Sequence, residues 1–550
     1  MQRRAQVRRG FAVATGIAGV LLAVVSATAA ELPRLVERNG RHALLVDGAP
    51  YLILGAQVNN SSAWPAMLPK VWPAIEQLHA NTVIVPIAWE QIEPQAGHFD
   101  FSFLDTLLQQ ARERNVRLGL LWFGTWKNNG PNYAPEWVKL DNKRFPRVVN
   151  SKGETLNSLS PHAAATLAAD RNAFVQLMRH LKTADPRHTV IIMQVQNEAG
   201  TYGSVRDYSP AGEKAFQGQV PATLLKKLKK QPGTWSQVFG TDAEEFSHAW
   251  AVAHFIGEIA AAGKAEYALP MYVNCALRDP ISPGKPGSYS SGGPTDNVLD
   301  IYRVVAPAID LIGPDIYMRE SAKYSRVLEL YGGADNALFV SETGNDKAYA
   351  RYLFETLGRQ GIGFAPFGMD FTGYSNYPLG AKRTDAAMIE PFAANYMLLA
   401  PISRVWARLS FEHKVWGAAQ PDDSEPRSFD LGRWTATLSW NEWQFGMKDW
   451  KWMGKFDAPE GREVPDGGAV LAQLGPDEYL VTGRNARISF AAAAKAQGKT
   501  NGLIYARVEE GHYDADGRWV FERVWNGDQT DYGLNFTTLP QLLRVRLATY

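Results

Sequence analysis

The 550-residue chain holds one cysteine, Cys275, which excludes a disulfide scaffold and any cysteine-cluster metal site. Charge of neither sign is in excess. The 57 Lys+Arg stand against 56 Asp+Glu, and a net charge of +1 gives no electrostatic footprint for nucleic acid or an anionic membrane surface. The ten histidines show no H-E-x-x-H or paired spacing, so no metal site is expected. No G-x-G-x-x-G follows an early apolar run, and neither a P-loop nor a G-x-S-x-G elbow occurs, so no nucleotide cofactor and no serine-hydrolase nucleophile are expected. After the first thirty residues no stretch approaches eighteen uninterrupted apolar residues, so no membrane span is expected in the mature chain. Hydrophobic content of 45% with 21% charged residues sets disordered and fibrous classes aside.

What is abundant is tryptophan, 17 residues, within an aromatic content of 11%. Aromatic faces pack against the C–H faces of sugar rings, which points toward carbohydrate; core packing is the alternative for any single Trp. Residues 1–30 carry Arg3, Arg4, Arg8 and Arg9, then an uncharged stretch from Gly10 to Val25, then Ala27-Thr28-Ala29 as an A-x-A cleavage site. That layout predicts a cleaved export signal and a periplasmic or secreted protein, with an uncleaved N-terminal anchor as the alternative. Arg8-Arg9-Gly10-Phe11 also admits twin-arginine export alongside the general secretory route. Cys275, beside Val273 and Ala276, is expected to be a buried core thiol.

From residue 31 to about 408, eight apolar runs alternate with segments of helical spacing. The runs are Leu52–Ala56, Thr82–Ile87, Leu118–Phe123, Val190–Val195, Met271–Cys275, Leu311–Gly313, Leu338–Ser341 and Ile362–Phe367. Phe103, Leu104, Leu107, Leu108 and Ala111 trace one helical face before the third run, and Phe174, Leu177, Met178 and Leu181 another before the fourth. Eight such βα units predict an α/β fold, a closed (β/α)8 TIM barrel rather than an open doubly wound sheet. From 409 to 550 short alternating segments take over, such as Trp434-x-Ala436-x-Leu438-x-Trp440 and Leu543-x-Val545-x-Leu547, and 514–517 reads as a hairpin turn. This half is expected to be an all-β sandwich, packed as a buttress against the barrel or binding polysaccharide.

Chemistry in a parallel barrel gathers where strands end. Run four continues Gln194-Val195-Gln196-Asn197-Glu198-Ala199-Gly200, and run seven Phe339-Val340-Ser341-Glu342-Thr343-Gly344. Two carboxylates from non-adjacent strands thus face each other at one mouth, the pair that glycoside hydrolysis needs. One protonates the leaving oxygen while the other attacks the anomeric carbon or activates water. Taken singly, each Glu also reads as a solvated or salt-bridged residue. Trp89 and Trp126 are candidate sugar platforms with core packing as the alternative. Lys127 and Asn128, and more weakly Asn59 and Asn60, are candidate donors to sugar hydroxyls. Asp370 is expected to touch sugar or to bridge within the rim, Glu93-Pro94 to shape a loop, and the Gly/Ser/Pro-rich 282–294 segment to lie on the substrate rim.

Asn197-Glu198 after strand four and Glu342 after strand seven resemble the signature of clan A retaining glycosidases. Gly55-Ala56-Gln57, Trp89-Glu90-Gln91-Ile92-Glu93-Pro94, Leu121–Asn128, Tyr133-Ala134-Pro135-Glu136-Trp137 and Asp315-Ile316-Tyr317 extend the likeness. Together they resemble the bacterial branch of glycoside hydrolase family 35, β-galactosidases with a barrel followed by a β-sandwich. The resemblance implies Glu198 as general acid/base and Glu342 as nucleophile. It implies Asn197 on the sugar 2-hydroxyl and Tyr317 donating its hydroxyl to Glu342. It also implies an exo-acting retaining β-galactosidase without cofactor, acting on plant-cell-wall oligosaccharides such as galactosylated xyloglucan fragments. One departure stands out. Gln196 and Trp126-Lys127-Asn128 replace the Glu and Asn-Ala-Glu of the larger relatives, leaving the 4- and 6-hydroxyl ligands open. Another clan A exo-glycosidase, a catalytically silent carbohydrate-binding barrel, and an endo-acting hydrolase with an open cleft are the alternative readings.

Overall fold

The computed structural model describes residues 31–444, 446, 449–450, 454–455, 464–493 and 502–550. The expected export signal at 1–30 lies outside the described residues.

The eight apolar runs become eight parallel strands, and the sheet closes on itself in chain order. Barrel strands one to four are Ile53–Gln57, Thr82–Ala88, Arg117–Lys127 and Val190–Asn197. Strands five to eight are Met271–Ala276, Leu311–Ile316, Phe339–Thr343 and Gly363–Pro366. They are almost wholly buried because helices cover the outside and side chains fill the inside, so an uninterrupted apolar run suits them better than alternation. The two helical faces read from the sequence form as expected. Ser102–Glu113 buries Phe103, Leu104, Leu107, Leu108 and Ala111, and Ala164–Ala184 buries Phe174, Leu177, Met178 and Leu181.

Ahead of the barrel lies a small antiparallel sheet, Arg34–Arg38, Arg41–Val46 and Ala49–Tyr51, which the barrel pattern alone does not predict. Its Leu44, Val46 and Tyr51 join Ile53, Ile84, Leu121, Leu311 and Phe339 in one buried cluster. These are residues of the strands' early halves, so the sheet plugs the end of the barrel away from the catalytic mouth.

The C-terminal segment forms a six-stranded and a four-stranded antiparallel sheet. Trp434, Leu438, Leu471, Val481, Ile488 and Val545 fill the space between them. The other face of the larger sheet packs on the barrel: Val470, Ala472, Leu480 and Leu542 belong to the barrel's own core, while Ala469 and Leu471 point into the sandwich. Period two along one strand thus divides the two cores. The approach is close enough that a Cβ at Gly358 would lie 2.2 Å from the Gly417 nitrogen. Arg351, 2% exposed, crosses the junction to Asp422 at 2.6 Å. The sandwich packs directly against the barrel. Helix Ser403–Glu412 runs through position 408, and the first sandwich strand begins at Val415. The hairpin at 514–517 joins Leu503–Tyr513 to Trp519–Val524.

Candidate active site

A cavity of about 430 Å³ opens at the ends of the barrel strands. Glu198, Asp315, Tyr317 and Glu342 form its floor, and Asn60, Lys127 and Asn128 one wall. Tyr202, Leu277 and Met318 line it beyond strands four to six, and Phe367, Tyr374 and Leu379 beyond strand eight. Glu198 and Glu342, called from their positions at strand ends, do meet: each offers a carboxylate oxygen within 4.8 Å of the other's.

Strand parity explains which side chains arrive. In strand three Leu121 and Phe123 fill the barrel interior, so Lys127 shares their face and enters the cavity. Trp122 and Trp126 point the other way, into the layer between strands and helices. In strand one the same count from Ile53 puts Gln57 inside, and in strand six the count from Leu311 puts Asp315 inside, with Tyr317 next on that parity.

Glu342 is 5% exposed and held on both oxygens. The Tyr317 hydroxyl donates to Oε1, and Gln57 Nε2 donates to Oε2 at 2.5 Å. Both bonds, with the nearby Lys127 ammonium, favour the ionised form. Burial and the adjacent Glu198 carboxylate oppose them and prevail, so the Glu342 carboxyl is raised from 4.5 to about 7. Burial, then Glu342, drives the Tyr317 hydroxyl well above the ordinary phenol range and keeps it a donor.

Glu198 sits in the left-handed region at φ 46°, as does Gln196 at φ 67°, a conformation that non-glycine residues adopt only when their surroundings impose it. The restraints are specific. Glu198 N–H donates to Asn274 Oδ1 at 2.8 Å, and its carbonyl accepts from Asn129 Nδ2 at 2.9 Å, which also reaches Ser290 Oγ at 2.7 Å. Gln196 accepts from Trp126 N–H at 2.9 Å and donates to Asp170 at 2.7 Å. Buried Asp170 also accepts from Trp122 and Thr125 and so ties the ends of strands three and four together. The 282–294 segment does its work here: Ser290 and Ser291 brace the loop that bears Glu198 and are absent from the cavity wall.

Two expected platforms are corrected. Trp89 is fully buried, its Nε1 donating to Glu93 at 2.9 Å and its ring edge-on to Trp137. Trp126 is 1% exposed, donates to the Leu159 carbonyl and packs on Phe255. Neither lines the cavity, because parity turns Trp126 outward and a short helix, Trp89–Ile92, turns Trp89 into the helix layer. Asn59 is corrected by one position. Its N–H and Nδ2 are committed to Asp370 at 2.7 and 2.9 Å, and Asn60 takes the cavity wall. Asp370 bridges within the rim, as one of its two readings expected. Lys127 and Asn128 are in place, the ammonium donating to Asn128 Oδ1. Asn197 is fully buried beside Glu198, and neither atom of its amide has a hydrogen-bond partner among the described residues. A buried, unpaired amide at that point is fitted to receive a ligand hydroxyl.

Sequence reasoning missed the roles of Gln57, Asn129, Asn274 and Asp315, and the rim aromatics Tyr202 and Tyr374. Gln57 and Asp315 were accessible by counting parity from the apolar residues of their strands. Asn129 and Asn274 act through loop backbone, which carries no sequence pattern.

Three carboxylates, Glu198, Asp315 and Glu342, each offer an oxygen within 4.8 Å of the others, the one such cluster among the described residues. Glu342 is occupied by Tyr317 and Gln57, Asp315 by Asn274 and Ser341, and Lys127 faces them. Among the described residues no helix is long and apolar enough to cross a membrane.

Residues 64–249, about a third of the chain, match the glycoside hydrolase 42 family model, described as beta-galactosidase. Residues 392–537 match a domain of unknown function, DUF5597. No curated protein matches. Solved structures to which the chain is similar include the β-galactosidase of the psychrophilic Marinomonas ef1, at 12% identity and TM-score 0.47, covering 65% of this chain and 61% of that one. The β-galactosidase of Bacillus circulans sp. alkalophilus follows at 13% and 0.45, covering 66% and 61%. The chain spans about three fifths of the length of those two enzymes. The family the motifs resemble, 35, is not the one matched: the segment that carries Asn197 and Glu198 is similar in sequence to glycoside hydrolase 42, a related family of β-galactosidases.

Proposed function

We propose that the protein is a glycoside hydrolase, an exo-acting retaining β-galactosidase working through Glu198 and Glu342. One observation carries this. Two carboxylates from opposed strands come within 4.8 Å across a cavity, one of them doubly hydrogen-bonded in the manner of a nucleophile. Retaining enzymes keep their carboxyl groups about 5–5.5 Å apart, whereas inverting ones need roughly 6.5–9.5 Å to admit water between them. The match of 64–249 to a β-galactosidase model supports the sugar class.

In the first step ionised Glu342 attacks the anomeric carbon. The glycosidic C–O bond breaks, and the proton of Glu198 passes to the leaving oxygen. In the second, Glu198 takes a proton from water, whose oxygen replaces Glu342 at the same carbon. Asn197 would meet the 2-hydroxyl, and Lys127, Asn128 and Asn60 the ring hydroxyls on their wall. Galactosylated xyloglucan fragments as substrate and export to the periplasm or medium extend this reading. They rest on the motif resemblance and on the character of residues 1–30.

A panel of nitrophenyl glycosides tests the sugar, and proton NMR of the first-formed anomer tests the mechanism. β-Galactose appearing first supports the proposal; α-galactose first refutes retention. Preferential cleavage of a β-glucoside would move the chain to another exo-glycosidase class. Binding without turnover on any glycoside would support the silent barrel.

A further inference from the structure

Asp315 is the carboxylate the two-glutamate mechanism leaves without a task. It is 3% exposed, lines the cavity floor and lies directly opposite Glu342 in the pairing of strands six and seven. Its hydrogen bonds lead to both catalytic residues. Oδ2 accepts from Asn274 Nδ2 at 2.6 Å, and the same Asn274 receives the Glu198 N–H on its Oδ1 at 2.8 Å. Oδ1 bonds Ser341 Oγ at 3.1 Å, and Ser341 is the residue before Glu342. Gly313 on the neighbouring strand leaves room for that hydroxyl, because a Cβ there would lie 2.5 Å from Ser341 Oγ.

We propose that Asp315 is a positioning residue that sets the two catalytic glutamates against each other, through Asn274 on one side and Ser341 on the other, and that it does so as a neutral carboxylic acid. The reading deepens the proposed glycosidase site, and its kinetic arm rests on that function.

The electrostatic argument comes from the neighbours. Asp315 faces two carboxylates, Glu198 and Glu342, and one cation, Lys127, with Tyr272, Cys275 and Tyr317 around it as un-ionised groups. Three anions with oxygens inside 4.8 Å and one ammonium leave an uncompensated buried charge, which a carboxyl relieves by taking a proton. Burial first, then Glu342 and Glu198, drives the Asp315 carboxyl well above the ordinary range. The hydrogen bonds accommodate the acid. Asn274 Nδ2 is a donor only, so Oδ2 is the carbonyl oxygen, while a serine hydroxyl both donates and accepts, so Oδ1–H can point to Ser341. A neutral Asp315 keeps both tethers and adds no third negative charge beside the nucleophile.

Two substitutions separate this from a charged role. Asp315→Ala removes both tethers; a small displacement of catalytic groups costs about 100-fold, and that loss in kcat/KM is expected. Asp315→Asn keeps the shape of a neutral acid and should recover at least about tenfold of that loss, with the acid limb of the pH profile where it is in the wild type. Asn274→Ala should lower the rate, and the Asp315→Ala/Asn274→Ala double variant should cost far less than the product of the two singles, as expected when both act on one tether. If Asp315 works ionised, Asp315→Asn removes a charge beside Glu342, so its acid limb moves down by about one pH unit or more, or it is as impaired as the Ala variant. Either result overturns the proposal. An infrared difference spectrum of wild type minus Asp315→Asn at pH 8 reads protonation without turnover. A protonated carboxyl C=O band supports the neutral acid, and a carboxylate band in its place refutes it, even if no glycoside is cleaved and the proposed function itself has failed.

Discussion

Replacing Tyr317 with Phe isolates the balance that makes Glu342 a nucleophile. The substitution removes one hydroxyl whose bond goes to Glu342 Oε1 and leaves the ring in place. That bond favours the carboxylate, so its loss must raise a carboxyl that already stands at about 7. A hydrogen bond to a charged group contributes about 1.5–3 kcal/mol, and about 1.4 kcal/mol corresponds to one pH unit. The expected displacement is therefore about one to two pH units upward. Attack requires ionised Glu342, and kcat/KM reports the free enzyme, so the acid limb of the kcat/KM profile should move to higher pH by that amount. At pH 7 the variant should lose roughly fivefold to fiftyfold through protonation alone, and part of that loss should return as the pH is raised. The assay is hydrolysis of an activated aryl β-galactoside over a pH series, with thermal unfolding as the control for folding. An acid limb that stays put, or moves down, would refute the claim that Tyr317 stabilises the ionised nucleophile.

Three further outcomes are expected. Because the Glu342 carboxyl is raised from 4.5 to about 7, the folded state binds more protons than the unfolded one between those values. Stability is then full below the unfolded value and falls as pH rises through that window, by about 3 kcal/mol at 1.36 kcal/mol per unit. Glu342→Gln should accordingly be more stable than wild type at pH 8 and nearly equal to it at pH 4, as denaturant melts at the two values would show; the same gap at both would sink this. Glu198→Ala should lose activity on poor leaving groups but much less on an activated aryl galactoside, and azide should restore rate with the β-galactosyl azide as product; the α-azide would contradict retention. Wild type should cleave β-galactosides at least about tenfold better than β-glucosides, about 1.4 kcal/mol. A Lys127→Ala/Asn128→Ala variant should narrow that ratio, and a ratio that stays fixed would place recognition of the axial hydroxyl elsewhere.

The sequence by itself determined the barrel, because each strand is buried on both faces and so announces itself as an apolar run, and because short runs separated by helical faces admit few packings. Met271–Ala276 and Phe339–Thr343 lie within two residues of the runs that predicted them. It also placed Glu198 and Glu342 at the mouth, since a charged residue within three residues of the end of such a run lands there. Tertiary structure alone decided which neighbours join them. Trp89 and Trp126 read equally well as platform or core until the register of strand three and the turn at Trp89–Ile92 sent both into the helix layer. Asn59 and Asn60 are indistinguishable by type, and the contact of Asn59 with Asp370, 311 positions away, chooses between them. The left-handed backbone at Gln196 and Glu198 likewise depends on partners from remote parts of the chain: Asn129, Asp170 and Asn274. Local propensity records burial and period, but a hydrogen bond between distant residues leaves no periodic trace. Only closure of the barrel brings those groups within 3 Å of one another.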